Sequence, residues 1–285
     1  MSKDRFFVLD AGDSRPARVP LPPRASVKAS AEDTQGRFSL LELRGGGDVP
    51  PHAHDDYDEF VYVIAGELGV DVGGESRRLT AGMCVLLPRG VTRAMRDLGG
   101  DASPVHALRV SAPGGREGHL EEATGADPRD DWGDLDRCFV LKPGGARPGR
   151  VPVPPAFSVK ARTADTGGLF SLLEVTVAQP VPRHTHLVAD ECVYVLDGEL
   201  EIEFDGAVHT AGAGQFVLLP HGVPHAIRPG STPPPRVVQI SSPGGWESVV
   251  EALIEHRSEV SRAGRFDPAA LNRHTRKHHV VYEES

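Results

Sequence analysis

The stretch HTHLVADECVYVLDGELEIEFDG, His184 to Gly206, decides the fold. After Glu191, Val193 and Val195 alternate with Cys192 and Tyr194. Beyond Asp197-Gly198, Leu200, Ile202 and Phe204 alternate with Glu199, Glu201 and Glu203. Such period-two alternation predicts half-buried strands, because successive side chains of a strand point to opposite faces. Asp197-Gly198 and Asp205-Gly206 supply hairpin turns, since Asp-Gly pairs accept the positive φ that two-residue turns demand. Leu68, Val70 and Val72 repeat the alternation before Gly73-Gly74. Many short strands with frequent turns predict an all-β sandwich or small barrel, and 32 glycines and 25 prolines suit it.

The stretch is one of two copies. Phe38 to Glu42 and Phe170 to Glu174 both read FSLLE, and LLPRGV from Leu86 matches LLPHGV from Leu218, each at an offset of 132 residues (218 − 86 = 132). Arg5 to Leu9 (RFFVL) matches Arg137 to Leu141 (RCFVL) at the same offset, and 18 of 33 positions in 36–68 recur in 168–200 without a gap. SAPGG from Ser111 and SSPGG from Ser241 match at an offset of 130 (241 − 111 = 130). A fixed long period is the mark of a tandem duplication. The expected domains are 1–133 and 134–285, with the boundary near Trp132 to Asp136. One helix is expected near the C-terminus, Glu247 to His256, where Val249, Val250, Leu253 and Ile254 form one stripe for the outside of the barrel. The basic run Arg273 to His279 reads as a solvated terminal segment.

Composition bounds the function. The chain of 285 residues has a net charge of −9 and no long basic stripe, which argues against nucleic acid as the partner. No apolar run is long enough to span a bilayer, and MSKDRFFVLD carries no apolar secretory core. Cys84, Cys138 and Cys192 are odd in number and lack CxxC spacing, so buried thiols in a reducing, cytoplasmic setting are expected. Walker, GxSxG and GxGxxG-before-helix patterns are absent, which disfavours nucleotide-dependent and serine-nucleophile chemistry.

His184, His186, Glu191 and His225 carry the chemistry. Residues i and i+2 of a strand face the same way, so His184 and His186 can point into one barrel. Glu191 opens the next strand, and His225 follows Gly222-Val223-Pro224 on a third. Imidazole nitrogen and carboxylate oxygen suit one divalent Fe, Mn, Co, Ni, Cu or Zn ion, and four ligands leave positions for substrate or O₂.

HTHLVADECVYVLDG and GQFVLLPHGVPH, from Gly214 to His225, resemble the two cupin motifs, and HAHDDYDEFVYVIAG with GMCVLLPRGVTR repeats the pair. Over most of its length the chain resembles the bicupins, and among them the quercetin-dioxygenase-like group, which also spaces the second His and the Glu by four residues. Ala178 and Pro229 depart from the motifs where Gly and Asn are usual; neither is a ligand position. The resemblance implies tandem double-stranded β-helix (jelly-roll) barrels with a metal inside each intact one.

The first copy differs. The offset gives His52, His54, Glu59 and Arg93, with arginine at the fourth ligand position. An arginine keeps its proton and cannot ligate. At about 4 Å from a dication, with an effective dielectric near 20, its repulsion is of order 8 kcal/mol. Three readings stay open: Arg93 pairs with Glu59 in place of a metal, it points outward and leaves a weaker metal site, or it binds an anionic substrate.

The expected activity is that of a metal-dependent dioxygenase acting in the C-terminal barrel on a small enolisable or aromatic, flavonol-like substrate with O₂. Glu191 would serve as ligand and as general base. Phe170, Leu172, Phe204, Phe216 and Ile227 are the candidate apolar lining and Gln239 a candidate polar contact. The alternatives are a non-oxidative isomerase, cyclase or decarboxylase of polyketide-type substrates, and a binding bicupin without chemistry. A monomer or homodimer, with no nucleic-acid or membrane partner, is expected.

Overall fold

The computed structural model describes residues 3–17, 21, 24–45, 48–115, 134–262 and 265–284, the side chains of Arg262 and Arg265 excepted. The chain forms two compact units, one of Asp13–Gly145 and one of Met1–Gly12 with Ala146–Ser285. Both are antiparallel all-β jelly-roll barrels, each built from two sheets whose apolar faces enclose a core. No described helix is long and apolar enough to cross a membrane.

In the unit of Asp13–Gly145 the larger sheet runs, in spatial order, Phe139–Leu141, Cys84–Leu87, Asp58–Ala65, His106–Ala112, Ser39–Arg44 and Ala25–Ala29. The smaller sheet runs Val49–His52, Arg93–Asp97, Glu67–Val72 and Glu75–Thr80. Val61, Val63, Leu68, Val70, Val85 and Leu87 are among the residues that fill the space between the sheets. They alternate along their strands with residues of the other face, which is the expected period.

In the other unit the larger sheet runs Phe7–Leu9, Phe216–Leu219, Asp190–Asp197, Arg236–Ser242, Ser171–Thr176 and Phe157–Ala161. The smaller runs Ala207–Gly212, Glu199–Phe204, His225–Pro229, Val181–His186 and Val280–Tyr282. The hairpin between Glu199–Phe204 and Ala207–Gly212 turns on Asp205 and Gly206, with φ of 47° and 81°. Both values are positive, as the tightest hairpin turn requires.

The units do not follow the expected division at 133/134. Phe7–Leu9 pairs with Phe216–Leu219, so the first twelve residues complete the sheet of the unit formed by 146–285. Phe139–Leu141 pairs with Cys84–Leu87 and belongs to the unit of 13–145. Backbone pairing of two edge strands sets these limits, because an edge left open would expose a row of unpaired amides and carbonyls. Of the expected boundary, Trp132 to Asp136, residues 132–133 lie outside the described residues.

The helix expected at Glu247 to His256 spans Trp246–Glu255. Of its apolar stripe, Val249 and Val250 are buried and, with Trp246, join the core cluster that contains Val193, Val195 and Ile202. The basic terminal run is not a loose tail. Helix Pro268–Thr275 is capped by Asp267, whose side chain accepts from the amides of Ala269 and Ala270. Ala270 and Leu271 are buried in the same core, and Val280–Tyr282 then adds a strand beside Val181–His186. Arg273, Arg276 and Lys277 keep their charges in solvent.

Candidate metal centre

Strand geometry delivers the four candidate ligands to one point. His184 pairs with His225 across neighbouring strands, so both face the barrel interior, and His186, two residues on, shares that face. Glu191 enters from the opposite sheet, on the same face as Val193 and Val195. All four are buried, and one donor atom from each lies within 4.8 Å of the others.

Hydrogen bonds orient the ring donors. His184 Nδ1 donates to the carbonyl of Pro182 at 2.9 Å, and His225 Nδ1 to that of Val223 at 3.1 Å. Protons on Nδ1 leave the Nε2 lone pairs aimed inward. The Nε2 atoms of His184 and His186 are 3.1 Å apart, and Glu191 Oε2 lies 3.1 Å from His225 Nε2 and 3.2 Å from His186 Nε2. Donors at right angles about a cation, with bonds of about 2.1 Å, stand about 3.0 Å apart. The donor set therefore fits a divalent transition metal in both chemistry and spacing. Burial pushes the His184 imidazole well below its usual pKa, and the neighbouring imidazoles of His225 and His186 push the same way. Burial also opposes the charge on Glu191, but the imidazoles of His186 and His225 hold its carboxyl well below the usual range. Neutral imidazoles and an ionised carboxylate are the forms that ligate.

Gln239, the candidate polar contact, donates its side-chain amide to Glu191 Oε1 at 2.6 Å, leaving Oε2 toward the imidazoles. Two residues were missed. Tyr282, directly opposite His184 in the strand pair, stacks on that ring at 5.2 Å, and Trp246 lies 4.9 Å from the His186 ring and 6.2 Å from that of His184. Only the short β-prone run Val280-Val281-Tyr282 could have signalled the last strand.

The expected apolar lining divides. Phe204 lies opposite His225 and Ile227 opposite Ile202, and both belong to the interior cluster. Leu172 pairs with Ile240, which pairs with Cys192, next to Glu191 in its strand. Phe216 pairs with Tyr194, three residues from Glu191. An odd separation along a strand reverses the face, so Leu172 and Phe216 point away from the four donors, and Phe170 shares the parity of Leu172. All three are buried, but not in the barrel interior.

The equivalent place in the unit of 13–145 has a different occupant. His52, His54 and Glu59 do bring donors within 4.8 Å of one another. Arg93, however, is 1% exposed and turns inward: its Nε donates to Glu59 Oε2 at 3.0 Å and its Nη1 to the carbonyls of Pro88 and Val91 at 3.1 and 3.0 Å. Arg109 pairs through Nε with Glu59 Oε1. Guanidinium groups hold both oxygens of the only carboxylate, and two fixed positive charges stand where a dication would sit. This set does not fit a metal. Burial and then the Arg93 charge push His54 down to about 3. Burial opposes ionisation of Glu59, yet Arg109 and Arg93 hold it below its usual range.

The model of the Cupin domain matches residues 39–110 and 172–240. Among curated proteins, 89 residues are 34% identical to polyketide synthase CurC of Streptomyces cyaneus, covering 31% of this chain and 58% of that protein. A stretch of 73 residues is 36% identical to quercetin 2,3-dioxygenase of Bacillus subtilis, covering 25% and 22%, and 94 residues are 31% identical to the tetracenomycin polyketide synthase protein TcmJ of Streptomyces glaucescens, covering 33% and 63%. The chain thus spans less than two thirds of the length of these relatives. Among solved structures, protein Ylba from E. coli superposes with a TM-score of 0.58 at 11% identity, over 83% of this chain and 90% of that one. An oxalate decarboxylase from Bacillus subtilis superposes at 0.51 with 16% identity, over 97% and 89%. These last two likenesses are of fold.

Proposed function

We propose that this chain, which belongs to the cupin family through its two cupin domains, binds one divalent transition metal through His184, His186, Glu191 and His225 and acts as a dioxygenase on a small enolisable or aromatic substrate. The observation that carries the reading is the convergence of four buried donors within 4.8 Å of one another, with His184–His186, His225–Glu191 and His186–Glu191 at 3.1 to 3.2 Å. A metal held there supplies a Lewis-acidic, redox-capable centre with positions left for substrate and O₂.

The chain's own residues supply the rest. Pro182 and Val223 fix the ring orientation of His184 and His225 through their carbonyls. Gln239 locks one carboxylate oxygen of Glu191, and Glu191 takes the proton of the substrate hydroxyl as general base. Trp246 and Tyr282 close aromatic faces over the imidazoles and exclude water from them. Phe204 and Ile227 supply apolar surface for a flat ring.

The likeness to a quercetin 2,3-dioxygenase supports the oxidative reading. Two relatives named for polyketide synthases favour a second one, in which the same centre polarises a carbonyl for a non-oxidative isomerase, cyclase or decarboxylase reaction. Elemental analysis of the purified protein, followed by oxygen-electrode assays with flavonols and other enolisable aromatics, separates them. About one ion per chain and substrate-dependent O₂ uptake are expected. Substrate turnover without O₂ uptake would transfer the assignment to the second reading, and a metal-free, inactive protein would end both.

A further inference from the structure

The barrel of residues 13–145 keeps the shape of its counterpart and replaces two neutral groups by cations. Arg93 stands for His225 at the offset of 132 (225 − 93), and Arg109 for Gln239 at the offset of 130 (239 − 109). Arg109 lies opposite Val61 and Leu41, as Gln239 lies opposite Val193 and Leu173, so both reach the interior carboxylate from the same strand position. With Glu59 ionised, the formal charge there is one positive unit (two guanidinium groups less one carboxylate). A divalent metal beside Glu191 would leave the same single positive unit in the other barrel.

The two guanidinium groups share one carboxylate. Both oxygens of Glu59 are engaged by Arg93 and Arg109. Arg93 Nη2 is buried with no hydrogen-bond partner among them, and so is His54 Nε2. A buried N–H of a charged group left unpaired is costly, and a planar guanidinium is matched best by a carboxylate. Arg109 keeps 11% of its side chain exposed and leads from the surface to the buried pair. Tyr57, 3% exposed, stacks beside His54 with ring centroids 4.1 Å apart and adds an aromatic wall.

We infer that the barrel of residues 13–145 is a metal-free binding site for a small carboxylate monoanion, held by Arg93 and Arg109 with His54 at its side. The pair of guanidinium groups supplies the charge that a divalent ion would supply in the other unit, so an anionic oxygen ligand is retained after the ability to hold a metal is lost. The inference stands independently of the reaction assigned above.

Isothermal titration of the 285-residue chain with sodium acetate, against sodium chloride at the same ionic strength, tests it. One saturable acetate site per chain is expected, weakened at least ten-fold in Arg109→Gln and changed less than two-fold in His184→Ala. If Arg109→Gln loses the native far-ultraviolet spectrum, Arg109→Lys keeps the charge without the planar fork and is expected to weaken acetate about five-fold. No saturable binding, equal heats with chloride, an unchanged arginine variant, or loss of the site in His184→Ala would each overturn the inference. So would two metal ions per chain, one of them lost in His52→Ala. A protein without any metal would defeat the reading of the other barrel while the acetate titration still decides this one.

Discussion

Gln239 donates its side-chain amide to Glu191 Oε1 at 2.6 Å, and both groups are buried. The contact fixes which carboxylate oxygen faces His186 and His225. Removing such a supporting hydrogen bond commonly weakens metal affinity 10–100-fold. Gln239→Leu, which fills the space without a donor, is therefore expected to lose metal to a chelator at about ten-fold lower concentration than the parent while its melting curve stays cooperative. Unaltered retention of metal would show that the amide does not position the carboxylate.

Tyr282 closes the last strand over His184, and its side chain is 3% exposed. Truncating a buried aromatic costs about 3–5 kcal/mol through lost burial and the cavity left behind. Tyr282→Ala is expected to destabilise the unit containing 146–285 by about 3 kcal/mol in urea unfolding and to weaken metal retention with it. A stable variant with full metal content would mean that the terminal strand is dispensable to the site.

The four metal candidates were legible because period-two alternation fixes which way a strand residue points and the duplication marks which positions recur. The lining was legible only in part. Phe204 and Ile227 share parity with His225, whereas Leu172 and Phe216 are equally apolar and face away from Glu191. Hydrophobicity reports burial, and only parity counted from a known inward residue reports the side. The unit limits were hidden for another reason. FVL at Phe7–Leu9 and at Phe139–Leu141 are identical segments, so no residue says which barrel each completes, and backbone pairing decides it. Arg93 was recognised as the odd member of its ligand set, but its partner Arg109 lies beyond the motifs, where the repeat offset shifts from 132 to 130.

Acid stability offers a test away from both barrels' interiors. Burial pushes the Asp33 carboxyl up, but hydrogen bonds from the Arg15 guanidinium and from Ser30 outweigh it and hold Asp33 below its usual range. A carboxyl depressed in the folded state adds stability that is complete above its unfolded pKa, near 4, and is lost as pH falls through the folded value. Asp33→Asn is expected to cost about 1–3 kcal/mol at pH 7. That difference should shrink steadily below pH 4. A cost independent of pH between 7 and 2 would assign the effect to packing rather than to charge.

The first residues of the chain belong to the candidate metal-binding unit, and that membership can be measured. Phe6 stacks on Phe204 with centroids 4.1 Å apart, and Arg5 Nη2 pairs with Asp190 Oδ2 at 2.5 Å, one residue from Glu191. Phe7–Leu9 covers the edge of Phe216–Leu219. Deleting the first twelve residues removes the Phe6 contact with an interior aromatic, uncovers a sheet edge and leaves the buried Asp190 without its arginine. Loss of one partly buried phenylalanine alone is worth roughly 3 kcal/mol. Calorimetry of the truncated chain is expected to show the unit containing 146–285 melting earlier, with reduced metal retention, while the unit of 13–145 unfolds as before. If the truncation instead destabilised only the unit of 13–145, the pairing of Phe7–Leu9 with Phe216–Leu219 would be refuted, because each unit responds only to the loss of a strand that it contains.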